Sequence, residues 1–430
     1  MESGRIKVDY LSRLEGEAAL DVTIQNGQIT DLQLNVFEPP RFFQSFLVGR
    51  KYYELPEITA RICGICPVSY QMTALSAIER AFAVQVSEQT RKLRKLYALS
   101  QFIQSHALHI YMLAAPDFLG YESVISMASA YPEEVKRALR LKRLGNDLTA
   151  LIGGREVHPV TPQIGGFSDL PSGKSLQAIA KRLTAAMEEA MDTARLIGQL
   201  AVPALAWDLT YVALSDPQEY AVNGGRLVSN KGLNIDPADY RDYLQERHIS
   251  HANALHSAME NGSSFLVGPL ARVNLNFAQL SSRAKEAAAL TGVSFPSNNP
   301  FHSVAARAVE LVHSIEEALQ IIEELDEPRR ENGGYIVRAG CGAAITEAPR
   351  GILSHSYCFN EQGVVLAADI VAPTSRNVHN IEEGLRLFIP QHLELPEEDL
   401  RLKCEMFIRN YDPCFSCSVH FLKLRVHSKC

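Results

Sequence analysis

Leu20, Val22 and Ile24 alternate with more polar neighbours, Asn26-Gly27 follows, and Ile29, Leu32, Leu34 and Val36 lie beyond it. Two runs of this kind flanking an Asn-Gly pair predict a β-hairpin. Pro39-Pro40 closes that region. From about Pro56 the apolar spacing lengthens. Leu93, Leu96, Tyr97, Ser100, Ile103, Ala107, Ile110 and Ala114 fall at three- and four-residue steps, the pattern of one face of a long helix. Leu139, Leu144, Leu148 and Leu151 predict a second helix, Leu176, Ile179, Leu183 and Met187 a third, and Val304, Ala308, Leu311 and Ile315 a fourth. Another hairpin is expected from Ile352 to Val371, turning near Asn360–Gly363. Clusters of Pro, Gly, Ser and Asn at Pro159–Gly173, Ser294–Pro300 and Asn332–Gly342 read as loops. The expected fold is mainly α: a bundle of long helices with hairpins and small sheets at its edges. No repeat or internal boundary is visible, so residues 1–430 are expected to form one domain. Within it, 1–55 are β-rich, 56–330 form the helical core and 331–420 the C-terminal region.

The composition adds mostly exclusions. A net charge of −7 and a pI near 6.0 give no phosphate-binding surface over the whole chain, so nucleic acid is not an expected partner. No run reaches the ~18 to 20 apolar residues of a membrane-spanning helix. The opening Met1-Glu2-Ser3-Gly4-Arg5 has no apolar core of a secretory signal. A cytoplasmic location without a membrane span is therefore expected. Eight cysteines in 430 residues do not resemble a disulfide scaffold. In such a chain, closely paired cysteines point to metal or redox chemistry.

Two C-x-x-C pairs stand near opposite ends of the chain: Arg61-Ile62-Cys63-Gly64-Ile65-Cys66-Pro67 and Asp412-Pro413-Cys414-Phe415-Ser416-Cys417-Ser418-Val419-His420. Cysteines three apart can aim both sulfurs at one ion. Pro67 suits the first position of a helix leaving the first pair, and a helix N-terminus favours thiolate. The spacing alone leaves open a structural zinc site or a dithiol redox pair. Zinc pairs are usually ~15 to 20 residues apart, however, and here most of the chain lies between them.

The flanking residues resemble a known family. Arg61-x-Cys-Gly-x-Cys and Asp412-Pro-Cys-x-x-Cys-x-x-His420 are similar to the paired signatures of nickel–iron hydrogenase large subunits. Glu347-Ala348-Pro349-Arg350-Gly351, Arg13-Leu14-Glu15-Gly16 and Val371-Ala372-Pro373-Thr374 resemble three further motifs of that family, in the family's order. Glu38–Phe43, Ser105–His109 and Cys417–His420 are most similar to its soluble cytoplasmic branch, the sulfhydrogenases and other nicotinamide-linked enzymes.

The resemblance implies reversible oxidation of dihydrogen at a nickel–iron centre whose iron carries carbon monoxide and cyanide. Cys63 and Cys414 would be terminal nickel ligands, and Cys66 and Cys417 would bridge to iron. Soft thiolates suit a nickel that changes oxidation state. Arg350 would overhang the vacant face between the metals, held by Asp412. Pro349 and Thr374 would line the cyanide pocket, and Glu15 would relay protons near Cys414. A second, hard cation such as Mg²⁺ would sit among position 44, the Ile370 carbonyl and His420. The family often has Glu where this chain has Gln44, which can ligate but brings no charge.

The family pattern also implies that an endopeptidase removes the tail, Phe421–Cys430, after His420. Cys341, Cys358 and Cys404 read as ordinary core or loop cysteines, leaving too few thiols for an iron–sulfur relay. Electrons would therefore pass to an iron–sulfur small subunit, then to flavin- and NAD(P)-binding diaphorase-type subunits. Alternatives are a dihydrogen-sensing or deazaflavin-linked relative with the same site, or a zinc-stabilised interaction protein.

Overall fold

The computed structural model describes residues 4–39, 41–325, 327–330 and 334–419. The N-terminal hairpin forms where expected, from β2 (Ala18–Gln25) and β3 (Gln28–Val36), and β1 (Gly4–Val8) adds a third antiparallel strand beside β2. The strand β1 buries only Ile6 and Val8, too short an alternation to stand out in the sequence.

The helical core rests on α1 (Pro67–Phe82), α2 (Glu88–Leu108), α3 (Pro132–Gly153), α4 (Gly173–Gly198), α5 (Pro269–Asn276) and α6 (Ser303–Leu325). Local signals set their starts. Ser87 caps α2 by accepting from the Thr90 N–H at 3.1 Å, and Ser172 caps α4 by accepting from Ser175 at 3.2 Å. Pro132 opens α3, with Glu133 and Glu134 in the first turn, where the helix dipole favours negative charge. The periodic face continues past the end of α2 through Ala114, but over His109–Ala114 the helix widens to a π-helix.

The helix α2 packs against α3 and α6, and α6 in turn against α4. The α2–α3 crossing is close at Gly145, where a Cβ would meet the Gln104 nitrogen at 2.6 Å and the Ser100 oxygen at 2.7 Å. One expected core position is corrected: Leu139 is 56% exposed, and Leu141 faces inward instead. A helix turns 100° per residue, so Leu139, five residues before Leu144, lies about 140° around the helix from it, whereas Leu141, three residues before, lies about 60° away.

A small sheet pairs β4 (Leu244–Arg247) with β5 (His256–Met259). A three-stranded sheet, β6 (Gly340–Ala348), β7 (Gly351–Phe359) and β8 (Val365–Val371), contains the second expected hairpin. The strand β6 begins inside the segment expected to be a loop. Its sequence, GCGAAITEA, has no alternation because its second half is buried almost throughout, with the strand packed on α1. This pairing also corrects the reading of two cysteines. Cys341 and Cys358 stand directly opposite each other on β6 and β7 and form a disulfide. Seventeen residues apart in sequence, they carry no recognisable spacing; the antiparallel register brings them together.

The chain finishes with α7 (Pro373–Phe388), α8 (Glu397–Asn410) and the single turn α9 (Phe415–Ser418). The principal apolar core runs from Ile6 in β1 through the long helices to Phe407 in α8 and Val419. A second apolar cluster, formed by α1, β7 and β8, encloses both cysteine pairs. Among the described residues, no helix is long and apolar enough to cross a membrane.

Candidate metal centre

Cys63 lies in the turn before α1, and Cys66 directly precedes Pro67 at the first position of that helix. The Cys66 N–H reaches the Cys63 sulfur at 3.2 Å, which folds the first pair toward one point. Cys414 precedes α9 and Cys417 lies within it. The two pairs meet inside the second core. The Cys63 and Cys414 sulfurs are 3.8 Å apart, and those of Cys63, Cys66 and Cys417 lie within 4.8 Å of one another. None of the four residues is more than 5% exposed.

Four thiols packed this way cannot all ionise unaided. Hydrogen bonds from Cys414, Cys417 and Cys66 hold the Cys63 thiol well below its usual range. Burial pushes Cys414 and Cys417 well above it. A soft cation would remove that conflict by taking all four as thiolates. The donor set therefore fits a thiophilic transition metal.

The N-terminal segment builds one wall. Glu15 and Cys414 form an isolated parallel bridge, and the Phe415 N–H donates to the Glu15 carbonyl at 2.8 Å. This brings the Glu15 carboxylate to the site, where Oε2 accepts from the Cys414 thiol at 2.8 Å and Oε1 from the Ser416 hydroxyl. Gly16 permits the approach. It has φ +87°, and a Cβ there would stand 2.5 Å from the Ser416 nitrogen. Arg41 clasps both thiol loops by donating to the carbonyls of Ile62, at 2.7 Å, and Ser416.

Arg350 sits at the turn between β6 and β7. Its Nε donates to the Asp412 carbonyl at 2.8 Å and Nη2 to Asp412 Oδ1 at 3.0 Å. A φ of 55° at Asp412 allows its carbonyl and carboxylate to face the same guanidinium. Burial opposes the Asp412 charge, but Arg350, His109 and Arg307 hold its carboxyl below the usual range. Arg350 is itself buried, and its Nη1 has no hydrogen-bond partner among the described residues. Thr374, in the first turn of α7, accepts the Cys414 N–H through its hydroxyl at 2.9 Å. The Pro349 carbonyl accepts from Arg272 at 2.9 Å.

Arg272, on α5, is a supporting residue that the sequence reading missed. Fully buried, it donates to both Glu310 oxygens at 2.6 and 2.8 Å, to Glu347 at 2.9 Å and to the Ala348 carbonyl at 2.8 Å. It thus fixes the turn that carries Arg350. The available signal was Glu310, a carboxylate within the largely apolar first half of α6, because a buried charge needs a partner.

Gln44 is buried, and its Nε2 donates to the Ile370 carbonyl at 2.9 Å. The expected hard-cation position is thus bridged by a neutral amide hydrogen bond, with no carboxylate from residue 44. These two residues do not by themselves fit a Mg²⁺ site. His420 and the Phe421–Cys430 tail lie outside the described residues.

The comparisons with known proteins agree on one family. A family profile described as nickel-dependent hydrogenase matches residues 41–139 and 255–420. Sulfhydrogenase 1 subunit alpha of Pyrococcus furiosus is 34% identical over 97% of this chain and 98% of its own length. Sulfhydrogenase 2 subunit alpha of the same organism is 33% identical over 97% and 100%, respectively. The crystal structure of an NAD+-reducing [NiFe]-hydrogenase in the H2-reduced state superposes with a TM-score of 0.85, at 24% identity, over 98% of this chain and all of that one. The fold of this chain is accordingly that of a nickel–iron hydrogenase large subunit. With the profile spanning both cysteine pairs and full-length relatives at a third identity, the chain belongs to the nickel-dependent hydrogenases, oxidoreductases that act on hydrogen.

Proposed function

We propose that this chain is the catalytic large subunit of a nickel–iron hydrogenase, with nickel and iron held between Cys63, Cys66, Cys414 and Cys417. The observation that carries the reading is the convergence of four buried thiols from opposite ends of the chain. Cys63 and Cys414 would hold the nickel, and Cys66 and Cys417 would hold both nickel and iron, the iron carrying carbon monoxide and cyanide. When bound, the group supplies a redox centre at which dihydrogen exchanges with two protons and two electrons. Metal analysis and infrared spectroscopy of the purified protein test this. Nickel and iron together, with carbon monoxide and cyanide absorptions, are expected; zinc alone would overturn the assignment.

The protein residues divide the remaining work. Arg350 projects a buried cation with an unengaged Nη1, fixed by two bonds to Asp412. Such a charge stabilises developing negative charge without having to reorganise. Pro349 and Thr374 line the iron side of the pocket, and Thr374 also anchors the Cys414 backbone. Glu15 moves the proton at the Cys414 sulfur, a role supported by the 2.8 Å thiol–carboxylate contact.

Glu15→Gln is expected to leave nickel content unchanged, because glutamine keeps the shape and an acceptor oxygen. It should slow deuterium–hydrogen exchange by roughly 100-fold, the lower end of a general acid–base contribution. Unchanged exchange would reassign the relay.

Electrons leave through other subunits. Besides the four site thiols, the described cysteines are Cys404 and the Cys341–Cys358 disulfide, too few for an iron–sulfur cluster. The proposed partners are an iron–sulfur small subunit and diaphorase-type subunits binding flavin and NAD(P). The subunit names of the relatives and the NAD+-reducing activity of the solved one support this assembly. A cytoplasmic site of action and removal of the Phe421–Cys430 tail by a maturation endopeptidase complete the proposal.

A further inference from the structure

A second group of ligating side chains lies apart from the thiol pocket. His251 comes from the segment between β4 and β5, His256 is the first residue of β5, and His379 and Glu382 stand one turn apart on α7. His251 Nε2 is 3.0 Å from Glu382 Oε1, and His256 Nδ1 is 3.8 Å from Glu382 Oε2. One ligand atom from each of His251, His256 and Glu382 lies within 4.8 Å of the others. The His379 ring stacks on that of His256 at 6.4 Å.

A hydrogen-bonded His–Glu cluster does not account for all of these groups. One carboxylate faces two imidazoles, and it also accepts the Leu34 N–H at 2.9 Å. His256 is only 4% exposed, yet its Nε2 has no hydrogen-bond partner among the described residues. The nitrogen of that ring turned toward Glu382 is Nδ1, and at 3.8 Å from Oε2 it lies beyond hydrogen-bond reach of the carboxylate.

We propose that His251, His256 and Glu382 bind a zinc ion, with His379 or a water as the fourth ligand. Two imidazoles and a carboxylate are a common zinc set, and zinc bonds of ~2.0 to 2.1 Å place tetrahedral ligands about 3.3 Å apart. The present separations straddle that spacing, so small side-chain rotations would close the site. The β3 backbone orients Glu382 through Leu34, as the outer hydrogen bonds of metal ligands usually do. His251 is partly exposed and leaves an entry path.

The site is structural. It would tie β3, the segment before β5 and α7 together, and the first turn of α7 carries Thr374, which holds the Cys414 backbone. Zinc bound only by the folded protein stabilises the wall of the thiol pocket without entering it.

The test is a zinc titration of the purified, chelator-treated protein, wild type against His251→Ala and Glu382→Gln, with zinc-edge X-ray absorption. One zinc per chain, bound by nitrogen and oxygen alone, is expected. Each variant should weaken zinc binding by at least about 10-fold while nickel content stays unchanged. Should Glu382→Gln fold poorly through loss of its backbone contact, His251→Ala on its partly exposed segment decides. Absence of stoichiometric zinc, sulfur in its coordination shell, or unaltered affinity in His251→Ala would overturn the proposal. None of these outcomes bears on nickel and iron at the thiols.

Discussion

Cys414→Ser is expected to yield a folded protein that holds little nickel and has lost at least roughly 100-fold in activity, since changes in the second shell alone already reach that scale. The Cys414 sulfur is central in the array, 3.8 Å from Cys63 and 2.8 Å from Glu15. Its replacement by a hydroxyl removes a soft donor that serine cannot match at neutral pH. The backbone should survive, because the Cys414 N–H bond to Thr374 and the Phe415 bond to Glu15 do not involve the side chain. Cys63→Ser should behave in the same way from the other end of the chain. Nickel measured by mass spectrometry, beside dihydrogen oxidation by the same preparation, is the check. Full nickel with normal turnover in either variant would remove these cysteines from the centre.

Arg350→Lys is expected to separate metal loading from rate. The guanidinium makes two bonds to Asp412, through Nε to the carbonyl and Nη2 to the carboxylate, and leaves Nη1 for the pocket. A lysine ammonium keeps the charge but lacks the planar fork, so it cannot hold both bonds and present a third donor in a fixed place. Loss of one preorganised donor costs about 100- to 1000-fold in turnover. Nickel and iron should stay near wild-type levels, because Arg350 supplies no thiolate. The lysine also leaves Asp412 short of a hydrogen bond in a buried position, with Arg307 at 3.4 Å from its other carboxylate oxygen. A modest fall in thermal stability should therefore accompany the loss of rate. Equal activity, or metal lost in step with activity, would refute a role in turnover.

The long helices and both hairpins could be read directly from the sequence, because each depends on neighbours within a few positions. Asn26-Gly27 sets a turn, and the apolar stripes of α2, α4 and α6 repeat with the helical period. The candidate thiols were legible for a different reason. A C-x-x-C pair carries its own chemistry, and the surrounding motifs carried the resemblance.

Only the tertiary structure decided which distant residues meet. The register of β6 on β7 sets Cys341 against Cys358 and makes a disulfide of two residues that look unrelated in sequence. The crossing of α5, α6 and β6 buries Arg272 with Glu310 and Glu347, and that network aims Arg350. The docking of α7 beneath β3 and β5 brings Glu382 to His251 and His256. The physical reason is common to all three. Local periodicity determines which face of an element is apolar, but not which buried face it meets. A buried charge, thiol or imidazole finds its partner only once the packing of whole elements has placed the two side chains within bonding distance.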